Sequence, residues 1–264
     1  MKRVALLVVL LQAVFASSLA AGQQAPQDAP HAPDGGTFER INNIDIPPVA
    51  NAPFTATVSA EWIRKLEDGG TITISNHRQV ARDSSGRVFQ ERRLLVPGGD
   101  QKTSPISELD FSDPNQHELY ICFPSAHTCS LRDYYVPADF HLPQPGELPS
   151  HQGNLTREDL GKNTLDGVEV VGTRETLTLN QGTIGNSQPL SVTKEFWYSP
   201  QLGINLLVKR VDPRHGTQIF SVSELKLVST QPATFQPPQG YAIKDMRSPT
   251  DQQSEGSPVT LHNP

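Results

Sequence analysis

Apolar and polar residues alternate along most of this chain, and helical spacing is scarce. In "TITISNHRQVARD" (71–83), Ile72, Ile74 and Val80 share one parity. In "LSVTKEFWYS" (190–199), Leu190, Val192, Phe196 and Tyr198 alternate with Ser191, Thr193 and Glu195. A period of two marks a half-buried strand. The segment 54–63 is ambiguous, because Phe54, Val58, Trp62 and Leu66 also fit a helical stripe. Its β-branched content favours strand, since such side chains crowd a helix. Further strands are expected at 87–96, 104–111, 117–122, 129–136, 155–161, 168–179, 204–212 and 217–228. "DSSGR" (83–87), "SDPNQ" (112–116) and "DPRHG" (212–216) are turns, with Asp and Ser bonding back to the backbone and Gly86 supplying a positive φ. The pattern predicts an all-β, mainly antiparallel protein of about ten strands with little helix. A sheet that large must curl or close to protect its edges, so a curved sheet or open half-barrel is expected.

One stretch breaks the alternation. Residues 137–153, "PADFHLPQPGELPSHQG", hold four prolines and two glycines, which exclude both helix and central strand. This loop joins two halves, 50–136 and 154–246, of a single β domain spanning 50–246. A loop of that length is either functional or a linker.

The ends read differently again. Lys2 and Arg3 precede the apolar run Val4–Phe15, and small residues follow. That is the layout of a cleavable signal peptide over 1–22, too short to span a bilayer, which needs roughly 20 apolar residues. "LAAGQQ" has no cysteine to carry a lipid, so a soluble periplasmic or secreted protein is expected. The arm 23–49 and the tail 247–264 are rich in Pro, Gln, Ser and Asp. They lack the apolar surface to offset ordering entropy and read as disordered. No later run is long enough to span a membrane.

The chain has 22 basic and 28 acidic residues, and removing Lys2 and Arg3 with the leader leaves 20 against 28, a net charge of −8. That disfavours nucleic acid as a partner, which needs a basic footprint. No G-x-S-x-G elbow, H-E-x-x-H, C-x-x-C or EF-hand loop is present, so no catalytic residue, metal or cofactor is assigned. The pairs Glu108/Asp110 and Glu158/Asp159 are expected on a wet outer face. Arg92, Arg93, Arg210 and Arg214 are expected as outer-face and turn charges. "GTIGN" reads as a loop rather than a nucleotide site, and the "NLT" sequon at Asn154 as idle. Trp62, Phe89, Phe196, Trp197 and Tyr198 are the candidates for lining a ligand pocket. The run Phe196-Trp197-Tyr198 must place its rings on alternating faces, so at least one lies off the main core face.

The two cysteines, Cys122 and Cys129, flank "FPSAHT". With His127 they fall one ligand short of a closed zinc site, and export favours a disulfide. The flanks read as strands and "PSAH" as a four-residue loop. If Phe123 and Thr128 pair, Cys122 and Cys129 face each other as the next pair. Such pairs bring Cβ atoms to about 4.5–5.5 Å, near the reach of a disulfide. A cross-strand disulfide that pins one hairpin is expected.

The segments "ARDSSGRVFQERR", "LGKNTLDGVEVVGTRETLTLNQGTIGNSQPLSV", "EFWYSPQLGINLLVKRVDPRHG" and "PATFQPPQGYAI" resemble a group of exported bacterial proteins, over residues 50–246. The closing F-x-P-P-x-G-Y is similar to the ending of periplasmic open half-barrels, such as the outer-membrane lipoprotein carrier and sigma-factor regulators that bind lipoprotein-like signals. That resemblance implies a concave apolar face for an acyl chain or a protein partner. The chain departs from the carriers in showing no N-terminal amphipathic helix and no helical lid. The expected function is a non-enzymatic binding or carrier-like protein. The alternative is a structural or regulatory module of the cell envelope.

Overall fold

The computed structural model describes residues 43–98, 104–135 and 143–247. The predicted leader, the arm as far as residue 42, loop residues 136–142 and the tail beyond 247 lie outside them. The strands are β1 (Phe54–Lys65), β2 (Thr71–Arg82), β3 (Val88–Arg93), β4 (Val96–Pro97), β5 (Ile106–Asp113), β6 (Glu118–Phe123) and β7 (Thr128–Asp133) in the first half. The second half holds β8 (Gly146–Glu147), β9 (Gly153–Leu165), β10 (Val168–Leu179), β11 (Leu190–Ser199), β12 (Ile204–Asp212), β13 (Gly216–Lys226) and β14 (Ala242–Asp245). They form one open sheet in the order β14-β7-β6-β5-β3-β2-β1-β13-β12-β11-β10-β9-β8, with β4 beside β2. Two short 3-10 turns, Pro149–His151 and Pro232–Phe235, are the helical elements among the described residues.

The topology follows from the hairpins. The chain starts in the centre at β1, meanders outward to β7, and crosses to the opposite edge. From there it meanders back, and β13 pairs with β1 along Thr55–Ile63. Residues 227–241 then cross to the first edge, where β14 joins β7 as the parallel pair. Segment 54–63 is a strand, as its β-branched content predicts. The expected hairpins are present. At 83–87, Asp83 Oδ1 accepts from the amides of Ser85 and Arg87, each at 2.9 Å. Gly86 has φ +90°, and a side chain there would meet the Pro48 carbonyl at 2.9 Å. β4, β8 and β14 are the strands that the alternation did not reveal. Each spans four residues or fewer, too short to show a period.

Strand register assigns side chains to faces, because paired residues point the same way. Phe54, Ala56, Val58, Ala60 and Trp62 line the front face of β1 and are all buried. Thr55, Thr57, Ser59, Glu61 and Ile63 line the back. On the outer strands the buried set changes face. Phe89, Phe111, Tyr120 and Leu131 are in register with Ala81 and Thr55, hence on the back. Tyr241, from the 227–241 crossing, packs there against Phe111 and the cysteines, and buried Phe235 of the same crossing lies in a turn against β3. The Arg87 guanidinium lies 5.2 Å from the Phe235 ring. The closing F-x-P-P-x-G-Y is therefore a clasp on the sheet.

The arm assigned to 23–49 carries two buried residues, Ile44 and Ile46. Segment 43–53 is held by Arg82, whose guanidinium is wholly buried and donates to the carbonyls of Ala52 (3.0 Å), Pro47 (2.8 Å) and Leu202 (2.6 Å).

Candidate functional site

The front face between β1 and β10 is built in bands. The row Ala60–Phe220–Val208–Phe196–Thr173 crosses five strands. Ala60 and Phe220 are buried, whereas Val208 and Phe196 are only half-buried. The next front row is Trp62–Gln218–Arg210–Lys194–Glu175–Arg157, a polar belt. Beyond it lie Asp212, Val192, Leu177 and Leu155. Arg157 holds Glu175 at 2.6 Å, and Arg210 reaches Asp212 at 3.3 Å. Asp212 is buried to 1% exposure. Although burial alone would raise its pKa, the Arg214 side chain and amide and His215 hold the carboxyl well below the usual range. Arg210, expected as a plain outer charge, thus belongs to a buried ion-pair cluster.

The five aromatic candidates do not converge. Trp62 is a core residue: its Nε1 donates to the His215 carbonyl at 2.6 Å and its ring carries the Arg64 guanidinium at 4.4 Å. Phe196 shares the front face with it. Phe89 packs against Phe111 on the back, 5.3 Å between centroids. Trp197 is also on the back, with Nε1 donating to Glu195 at 2.8 Å. Tyr198 is exposed, and a register shift between Trp197 and Tyr198 ends the alternation there.

The carboxylate pair Glu108/Asp110 is not on a wet face. Asp110 is buried and bonded by Arg92 Nε at 2.7 Å. Burial first, and the Asp110 carboxylate second, push the Glu108 carboxyl up to about 7. Both face front, beside buried Arg78, whose pKa burial lowers to about 10. Arg92 is accordingly an inward ion-pair partner, and Arg93 is held by Glu91 at 2.9 Å. The outer-face expectation failed because alternation assigns a parity but not which face is covered. Glu158 does lie exposed, bonded to Arg174 at 3.0 Å.

Cys122 and Cys129 are joined in a disulfide and are directly paired, one step from Phe123 and Thr128. Both are buried under Phe111 and Tyr241, and the His127 carbonyl accepts from the Ala242 amide at 3.0 Å. His127 is therefore a contact for β14. Among the described residues no group of three His, Cys, Asp or Glu side chains is placed to hold a metal, and no helix is long and apolar enough to cross a membrane.

The sequence reading missed a polar notch on the back face. Ser59, Glu61, Ser75, His77, Ile219 and Ser221 line a cavity of about 180 Å³. Ser59 Oγ and His77 Nδ1 are 2.7 Å apart. β1 is paired on both sides, so the backbone amides around Ser59 are committed to the ladders and none is left to stabilise an oxyanion. The signal was available in the back parity of "TATVSAE", read only for its strand content.

No protein-family model matches the sequence, and no curated protein matches it. Several solved structures are similar in fold at low scores. A conserved protein from Thermus thermophilus aligns at TM-score 0.37 and 11% identity, over 74% of this chain and 91% of that one. A LolA superfamily protein from Nitrosomonas europaea aligns at 0.29 and 10%, over 70% and 90%. A chain of the Pseudomonas aeruginosa MucA/MucB complex aligns at 0.35 and 14%, over 70% of this chain and 56% of that one.

Proposed function

We propose that this chain is a non-enzymatic binding protein of the cell envelope that holds an apolar ligand, of the acyl-chain type, on its front face. The observation that supports it is the half-buried state of Val208 and Phe196. They continue the buried row from Ala60 and Phe220 but are not themselves covered to the same degree. An apolar strip left part-open beside a packed core gains from a ligand that completes its burial, at roughly 25 cal/mol per Å². In the belt below it, where Arg210 and Arg157 are held by Asp212 and Glu175, Lys194 would set the depth of an anionic end. The Cys122–Cys129 disulfide fits an oxidising compartment such as the periplasm.

The test is lipid extraction and native mass spectrometry of the purified full chain, followed by titration with an apolar fluorescent dye. A co-purifying acyl ligand, and dye binding weakened about tenfold or more by a Phe196→Ser, Val208→Ser double variant, are expected. A ligand-free protein that does not bind the dye would sink the reading.

A further inference from the structure

The back-face notch is a site of its own, separate from the front strip because it lies on the other side of the sheet. Its walls come from three adjacent strands. Glu61 pairs with Ser75 on β2 and Ile219 on β13, and Ser59 pairs with His77 and Ser221. Six side chains from two successive rows therefore point into one opening, and the cavity of about 180 Å³ admits a molecule of several heavy atoms.

The chemistry of the lining is one-sided. It offers a carboxylate, three hydroxyls and an imidazole, and no Lys or Arg. Among the described residues no hydrogen bond or ion pair engages the side chains of Glu61, Ser75 or Ser221. Of the neighbouring cations, Arg93 bonds Glu91, and Lys209, one strand beyond Ile219, is exposed and is the cross-strand partner of Glu195. A half-buried carboxylate without a counter-ion, ringed by hydroxyl lone pairs, is the complement of a small cation with several N–H donors. Ile219 supplies an apolar wall for a short carbon chain.

We infer that the notch formed by Ser59, Glu61, Ser75, His77, Ile219 and Ser221 binds the primary ammonium group of a small hydroxylated amine. Glu61 takes the charge, and Ser75, Ser221 and the Ser59–His77 pair take the remaining donors and hydroxyls.

The probes are ethanolamine, tetramethylammonium and glucose, titrated into the full chain while the His77 imidazole resonances are followed by NMR and assigned with a His77→Gln variant. Ethanolamine is expected to shift His77 saturably, and the other two are expected to leave it unmoved. Glu61→Gln is expected to weaken ethanolamine binding about tenfold or more while the melting temperature stays near that of the parent. Ser221→Val serves if that variant does not fold, and should weaken binding as well. An equal response to tetramethylammonium would reduce the site to plain charge attraction, and an equal response to glucose would make it a hydroxyl site. Either outcome, no saturable shift with ethanolamine, or binding unchanged in Glu61→Gln, overturns the inference.

Discussion

The Trp197 ring occupies the space that a side chain at Gly172 would need. A Cβ built at Gly172 would lie 2.7 Å from Trp197 Cζ3 and 2.8 Å from the Leu160 Cβ. The two residues are direct partners on β10 and β11, and β10 meets a register shift against β9 at the same point. Gly172 is thus required for room rather than for backbone freedom. Gly172→Ala should destabilise the protein by about 1–3 kcal/mol through overpacking. Urea unfolding, followed by tryptophan fluorescence, will measure it. An unchanged midpoint would mean that the ring moves aside at no cost.

Arg82 should be the costliest single polar residue to remove. Its three carbonyl partners belong to two separate stretches of chain, 43–53 at two points and the β11–β12 turn, and burial lowers its own pKa to about 10. Among the described residues no carboxylate pairs with it. Arg82→Lys keeps the charge but cannot span three acceptors, and Arg82→Met orphans all of them. A loss of about 2–4 kcal/mol is expected for either: Arg82→Met orphans three buried acceptors at about 1–3 kcal/mol each but removes a buried charge, and Arg82→Lys keeps the buried charge while losing some of the acceptors. Proteolysis should then cut first within 43–53. Wild-type resistance there in both variants would show that Ile44 and Ile46 suffice to dock the segment.

The long strands and their hairpins were legible because alternation runs ten or so residues and turn residues punctuate it. β11 and β12 begin and end where the pattern does. Face assignment was less legible. Parity placed Phe196 and Trp197 on opposite faces correctly. It could not show that the crossing 227–241 would cover the back of β3, β5 and β6, because Phe235 and Tyr241 sit in a Pro/Gln-rich stretch with no period. The same blindness hid Asp110, whose burial depends on Arg78 and Arg92 arriving from neighbouring strands. The notch was spelled out in the back parity of β1, but three serines and a histidine on a sheet carry no motif.

The disulfide couples the hairpin to the last strand. Cys129 is the direct partner of Ile243, and the His127 ring meets Tyr241 edge-on at 5.3 Å. A Cys122→Ser, Cys129→Ser double variant should lose about 2–3 kcal/mol, the limit for so short a loop. The hydrogen-exchange protection of Ala242–Asp245 should fall more than that of β1. If β14 amides stay as protected as in the parent, the clasp residues Phe235 and Tyr241 hold the strand without the bridge.

Glu108 should make the protein less stable at neutral than at mildly acid pH. Its carboxyl titrates near 7 in the folded chain against 4.5 as the ordinary value. Below about 4.5 the group is protonated in both states and has no effect. Between the two values the unfolded chain releases a proton that the folded chain keeps, so stability falls as pH rises and levels off above 7. Glu108→Gln removes the ionisation and keeps the shape. Its advantage over the parent should therefore be near zero at pH 4.5, grow through pH 6 and be complete by pH 8. Paired urea titrations at these three values will show it. A constant offset between the two proteins across the range would mean that Arg92 and Arg132 neutralise Glu108 in full and that its carboxylate is not strained by Asp110.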